Sequence, residues 1–122
     1  MPSDISDGYM PPKCSDYSGG IIMKKTVATI KWNFDSSKTI DEIIIKLPEC
    51  TEILSVYNDN SSLSIVFISP TQLFNTNLWR EYHFTICKCA YTDIDVTDCK
   101  YVGTVNEGNC SFVLFYKKGL IV

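Results

Sequence analysis

Beyond residue 20, the chain is dominated by short runs in which apolar and polar side chains alternate. In TVATIKWNF, Ile30, Trp32 and Phe34 are apolar and the residues between them are polar. A period of two places one face of a β-strand in a core and the other in water. Trp32 is therefore predicted to be buried, against Phe67 or its neighbours.

Further runs of this kind are separated by polar turns. EIIIKLP, EILSVY, SLSIVFIS and REYHFTICK all read as strands, and residues 58–61 favour a hairpin between the second and third of these. CKYVGTV and CSFVLFYKK read as a final pair joined at residues 106–108. The predicted fold is all-β: a two-sheet antiparallel β-sandwich of seven to eight strands, stapled by disulfides.

The pattern also indicates the domain organisation. Residues 1–20 contain three prolines and three glycines and are predicted to form an irregular N-terminal arm. Residues 21–122 are predicted to form one sandwich domain, a size typical of a single core.

The net charge of the chain limits the kinds of molecule that it can bind. The formal charge is −3 and the pI is about 5.0. An acidic chain argues against nucleic acid, which selects basic surfaces. No apolar run is long enough to span a bilayer, so membrane insertion is not predicted. A basic protein partner fits this charge.

Six cysteines in a small domain suggest a disulfide framework made in an oxidising compartment, so we expect a secreted or extracellular protein. Cys87 and Cys89 lie two apart on one strand face, about 6.5–7 Å between α-carbons, so each should bond a different partner. Fifteen connectivities are possible. One nested solution joins Cys89 to Cys99, Cys87 to Cys110 and Cys14 to Cys50.

Other chemistry fits the sequence less well. The Cys-x-Cys spacing lacks the Cys-x₂-Cys knuckle and the second hook of a zinc ribbon, although a small cytosolic zinc protein is kept as an alternative. His83 is the only histidine, and it lies about 13 Å along a strand from Cys87, too far for proton transfer. No metal, no cofactor and no enzymatic activity are predicted.

The acidic run YTDIDVTD, residues 91–98, has two interpretations. It can be a solvated edge strand whose charges prevent aggregation. It can also be a patch that combines aromatic anchors with steering charge for a basic partner. The candidate binding residues are Tyr91, Asp93, Asp95, Asp98 and Tyr101. Asn60 and Asn109 lie in glycosylation sequons, which suit export.

Four blocks of sequence resemble a known family. They are CSDY at residues 14–17, IIIKLPEC ending at Cys50, YHFTICKC, and GNCSFVLFYKKG near the end. Their order is similar to that of the secreted immune-evasion domains of poxviruses, which include chemokine-binding proteins and the domain appended to viral tumour-necrosis-factor receptors. The resemblance implies a β-sandwich that sequesters a basic host chemokine or cytokine. The alternative is a disulfide-rich surface-antigen or adhesion ectodomain without such a ligand.

Overall fold

The computed structural model describes residues 24–59, 62–71 and 78–122, which form two antiparallel sheets. One sheet has the strand order β1–β4–β3 and the other β2–β5–β7–β6. The predicted all-β, two-sheet architecture is thereby confirmed. The predicted arm, residues 1–20, lies outside the described residues. The seven strands are β1 (Lys25–Trp32), β2 (Ile40–Pro48), β3 (Glu52–Asp59), β4 (Ser62–Pro70), β5 (Trp79–Lys88), β6 (Lys100–Glu107) and β7 (Cys110–Ile121).

The core lies between the two sheets and is built from alternate residues of each strand. Leu63 and Ile65 of β4 and Phe84 of β5 are completely buried. Trp32 is 6% exposed and belongs to the same apolar cluster as Phe67, as its period-two position predicts. Burying a side chain of this kind stabilises the fold by roughly 1.5–3 kcal/mol.

Both predicted hairpins are present. In the first, β3 and β4 pair up to Asp59 opposite Ser62. In the second, β6 and β7 pair up to Glu107 opposite Cys110, and Gly108 in the turn has φ of 63°. A left-handed turn residue is easiest for glycine, because it has no Cβ to clash. β4 is the central strand of its sheet.

Strands β3 and β6 come close together on one side of the sandwich. A Cβ atom added to Gly103 of β6 would lie only 2.8 Å from Cγ1 of Val56 in β3. The β6–β7 register also shifts between Tyr101 and Gly103. A glycine is therefore needed where the two sheets approach most closely.

A cluster of polar contacts ties the start of β5 to the residues after β2. The Arg80 guanidinium donates hydrogen bonds to both carboxylate oxygens of Glu49, at 2.9 and 3.2 Å, and to the Gly119 carbonyl at 2.9 Å. The buried Tyr82 hydroxyl donates to the Thr51 carbonyl at 3.1 Å. Within the described residues, no helix is long and apolar enough to cross a membrane.

Candidate functional site

The acidic run is a crossover connection, and this topology defines the candidate site. Residues 89–99 join β5 to β6, yet β7 lies between those two strands in the sheet. Both β5 and β6 are antiparallel to β7, so they are parallel to each other and their connection must cross a face of the sheet. Asp95 and Cys99 of this connection line a cleft together with His83 and Thr85 of β5, which alternate with the buried Tyr82, Phe84 and Ile86, so the crossing lies on the outer face, away from the core. The edge-strand interpretation of this run is therefore wrong.

The backbone of this crossing segment (residues 89–99) is unusual at two places. Among the described residues, Tyr91 and Asp98 are the non-glycine residues with positive φ, at 55° and 61°. Thr92 and Ile94 are half-buried against the sheet, whereas Asp93 is exposed. The Tyr91 side chain is 107% exposed, so its whole ring is in solvent.

Asp95 is held in one orientation by its own segment. Its carboxylate accepts a hydrogen bond from the Thr97 backbone N–H at 2.9 Å. The Thr97 hydroxyl, then this N–H, and to a lesser degree the charge of Lys117 lower the pKa of Asp95 below its ordinary value. Asp95 is therefore ionised at neutral pH.

A cleft of about 750 Å³ lies between the crossing segment and the outer face of β2 and β5. Register explains its composition, because Lys117 of β7 is opposite His83 of β5. His83 lies against Gly119, and its Nε2 atom is 3.4 Å from Oε1 of Glu81. The cleft thus brings together a thiol, an imidazole, two carboxylates and an ammonium group; its lining residues are Glu42, Ile43, Ile44, His83, Phe84, Thr85, Asp95, Cys99 and Lys117.

Sequence reasoning missed this grouping. It compared His83 only with Cys87, which lies on the same strand, whereas the structure places Cys99 in the cleft with His83. The two residues line one cleft because the chain crosses the sheet between them. No local pattern in the sequence carries that information.

The five predicted binding residues do not form one patch. Asp98 lines a second cleft of about 210 Å³ together with Lys100, Lys117 and Lys118. Tyr101 lies on β6, 61% exposed, with its ring 6.1 Å from that of Phe115.

The two tyrosines lie well apart on the outer face. Tyr101 is opposite Phe115 on β7, whereas the Cys89 N–H, two residues before Tyr91, donates to the Ser111 carbonyl at 2.8 Å. Four residues along a strand span about 13 Å. Tyr91 and Asp93 therefore form one end of the crossing segment, and Asp98 forms the other.

The predicted disulfides of the C-terminal half are absent. Cys87, Cys89, Cys99 and Cys110 are free thiols. Cys87 is opposite Val113 of β7. Cys110 lies three residues away from Val113, about 10 Å along the strand, so a disulfide between Cys87 and Cys110 is out of reach. Cys89 and Cys99 lie at opposite ends of the crossing segment. Burial, with a smaller effect of Cys89, raises the pKa of the Cys87 thiol above its ordinary value.

The remaining predictions about cysteines and sequons have mixed outcomes. Cys50 is buried and disulfide-bonded, and its partner is not among the described residues; Cys14 lies outside them. Four free thiols among six cysteines leave room for one disulfide, so the predicted stapling by three is wrong. Asn109 is exposed in the β6–β7 turn, and Asn60 lies outside the described residues. Across the described ranges, no three His, Cys, Asp or Glu side chains are grouped to hold a metal ion.

Comparisons with known proteins find no match: no family model, no curated protein and no solved structure resembles this chain closely enough to count.

Proposed function

We propose that the protein is a secreted binding module that sequesters a basic protein of the chemokine or cytokine class through the Tyr91 end of its crossing segment. The observation that carries the proposal is Tyr91 itself, with a fully exposed ring on a left-handed backbone. A bulky residue at positive φ is strained by roughly 1–2 kcal/mol, and such strain is concentrated at functional sites. Tyrosine is also among the residues that most often dominate binding energy at interfaces.

Charge beside Tyr91 supports a basic partner. Asp93 is exposed two residues away, and Asp95 is held ionised. Carboxylates at the rim of an interface raise the association rate with a basic protein more than they raise the affinity. The lysines around Asp98 lie at the far end of the segment and would repel the same partner, which would orient it toward Tyr91.

The extracellular location is supported by features of the chain other than the proposed binding site. The resemblance to secreted poxvirus domains and the exposed sequon at Asn109 favour it. The cysteines no longer do so, because four of them are free thiols.

The test is biolayer interferometry of the protein against a panel of basic chemokines and cytokines, at low and at physiological salt. Tyr91→Gly should weaken binding by about 5- to 30-fold, because it removes an anchor worth roughly 1–2 kcal/mol. The same variant should raise the free energy of unfolding by about 1 kcal/mol, since glycine relieves the strain at positive φ. Loss of binding with gain of stability separates a binding role from a structural one.

Matched controls lie on the opposite sheet. Tyr57, 48% exposed on β3, is the tyrosine control, and Tyr57→Ala should leave affinity unchanged. Asp93→Asn should slow association at low salt by about two- to threefold, whereas Glu52→Gln, which removes the same charge on β3, should not. Unchanged affinity of Tyr91→Gly would refute the proposed site. Binding to no member of the panel would favour the surface-antigen or adhesion alternative.

A further inference from the structure

The smaller cleft, at the Asp98 end of the crossing segment, concentrates positive charge on an otherwise acidic chain. Lys100, Lys117 and Lys118 line it with Asp98 and Tyr116, so the cleft carries a net charge of +2 from three lysines and one aspartate. Like charges brought together repel one another, and a bound counter-ion offsets that repulsion.

None of these three lysines has an ion-pair partner among the described residues. Elsewhere on the sandwich, Lys25, Lys31 and Lys38 each lie within 4.0 Å of a carboxylate. Asp98 is in the cleft, yet it makes no such contact with the lysines beside it. Lys100 and Lys118 reach the cleft from the core side of the sheet edge, and Lys117 reaches it from the outer side, because successive side chains of a strand point to opposite faces.

The fold positions the three lysines at a sheet edge. The β6–β7 register begins with Lys100 opposite Tyr116, but β7 continues to Ile121. Residues 117–121 of β7 thus extend beyond the end of β6 and have no partner on that side in the part of the chain that the structure describes. A ligand can approach this edge without displacing a paired strand.

We propose that this cleft binds the oxyanion of a phosphate or sulfate ester. A tetrahedral oxyanion offers several oxygens to several lysines, and lysine binds phosphate as a point charge that needs no fixed planar geometry. The site is independent of the proposed binding of a basic protein, because it lies at the opposite end of the crossing segment and selects the opposite charge.

The experiment is a nuclear magnetic resonance titration of ¹⁵N-labelled protein with phenyl phosphate and, separately, phenyl sulfate, at constant ionic strength set by sodium chloride. We expect saturable amide shifts at residues 98–100 and 116–118. The ratio of the two affinities identifies which ester the cleft prefers. Saturation by neither ester, or shifts centred elsewhere, would overturn the proposal.

Two variants with opposite expected effects sharpen the test. Lys118→Gln should weaken ester binding by about two- to fivefold, which corresponds to one exposed charge pair. Asp98→Asn should strengthen binding by a similar factor, because it removes the one negative charge of the cleft. Asparagine tolerates positive φ as aspartate does, so the backbone is preserved.

Lys46→Gln is the matched control, since Lys46 is an exposed lysine on β2 of the same sheet, outside this cleft. It should leave ester binding unchanged. Equal weakening by Lys46→Gln and Lys118→Gln would show that only the overall charge matters and would overturn the site. Failure of Asp98→Asn to strengthen binding would do the same.

Discussion

The contact between Gly103 and Val56 gives a prediction whose magnitude can be worked out from the structure. Gly103→Ala places a Cβ atom 2.8 Å from Cγ1 of Val56, where ordinary contacts are 3.4–4 Å. Overpacking of this kind costs roughly 1–3 kcal/mol, because a β-branched neighbour has few alternative rotamers. Replacing glycine by alanine also restricts the unfolded chain, which returns about 0.4–1 kcal/mol. The net expected loss is about 1–2 kcal/mol.

A double-mutant cycle isolates the contact. Val56→Ala removes Cγ1, so in its presence Gly103→Ala should be neutral or slightly stabilising. The expected coupling between the two positions is therefore about 1–3 kcal/mol, the cost of the overpacking itself, above the roughly 0.5 kcal/mol scatter of independent sites. Urea denaturation of the four proteins measures it, provided that the m-values agree.

Gly119→Ala is the matched control. There the added Cβ would lie 2.5 Å from Nε2 of His83, the far end of a side chain that can rotate away. The loss of stability should be smaller than at Gly103. If the effects of Gly103→Ala and Val56→Ala on the free energy of unfolding are additive, the two residues are not in contact. That result would contradict the packing of β3 against β6 at this point.

Three further predictions concern the core, the buried phenol and the thiols. Trp32→Ala should lower the free energy of unfolding by roughly 3–5 kcal/mol, because Trp32 is almost completely buried; a denaturation midpoint close to that of the parent would contradict its place in the core. Burial raises the pKa of Tyr82 to about 12 from 10.0, so the stability that the neutral phenol contributes is fully present below pH 10 and is lost between pH 10 and 12, about 3 kcal/mol in all. Tyr82→Phe should abolish that part of the alkaline stability loss, and an unchanged pH profile would refute it. Intact mass should lie at most two protons below the fully reduced value, and Cys89 should be alkylated before the buried Cys87; a deficit of six protons would restore the three-disulfide framework.

Local pattern determined the strands and their buried faces. The alternation around Trp32 is visible in a few consecutive residues, and the strand that it predicts is present with that side chain in the core. Turn residues between two apolar runs likewise predicted both hairpins, since strands joined by two residues must pair with each other. These features depend only on neighbours along the chain.

The tertiary structure alone decided what the acidic run does. Its sequence fits both an edge strand and a binding patch, and only the insertion of β7 between β5 and β6 makes it a crossing segment. That insertion separates Asp98 from Asp93, places Asp98 in a cleft that three lysines also line, and brings Cys99 into a cleft with His83. It also sets the registers that keep the C-terminal thiols apart. Strand order and register follow from how two whole sheets bury their apolar faces against each other, so no window of sequence contains them.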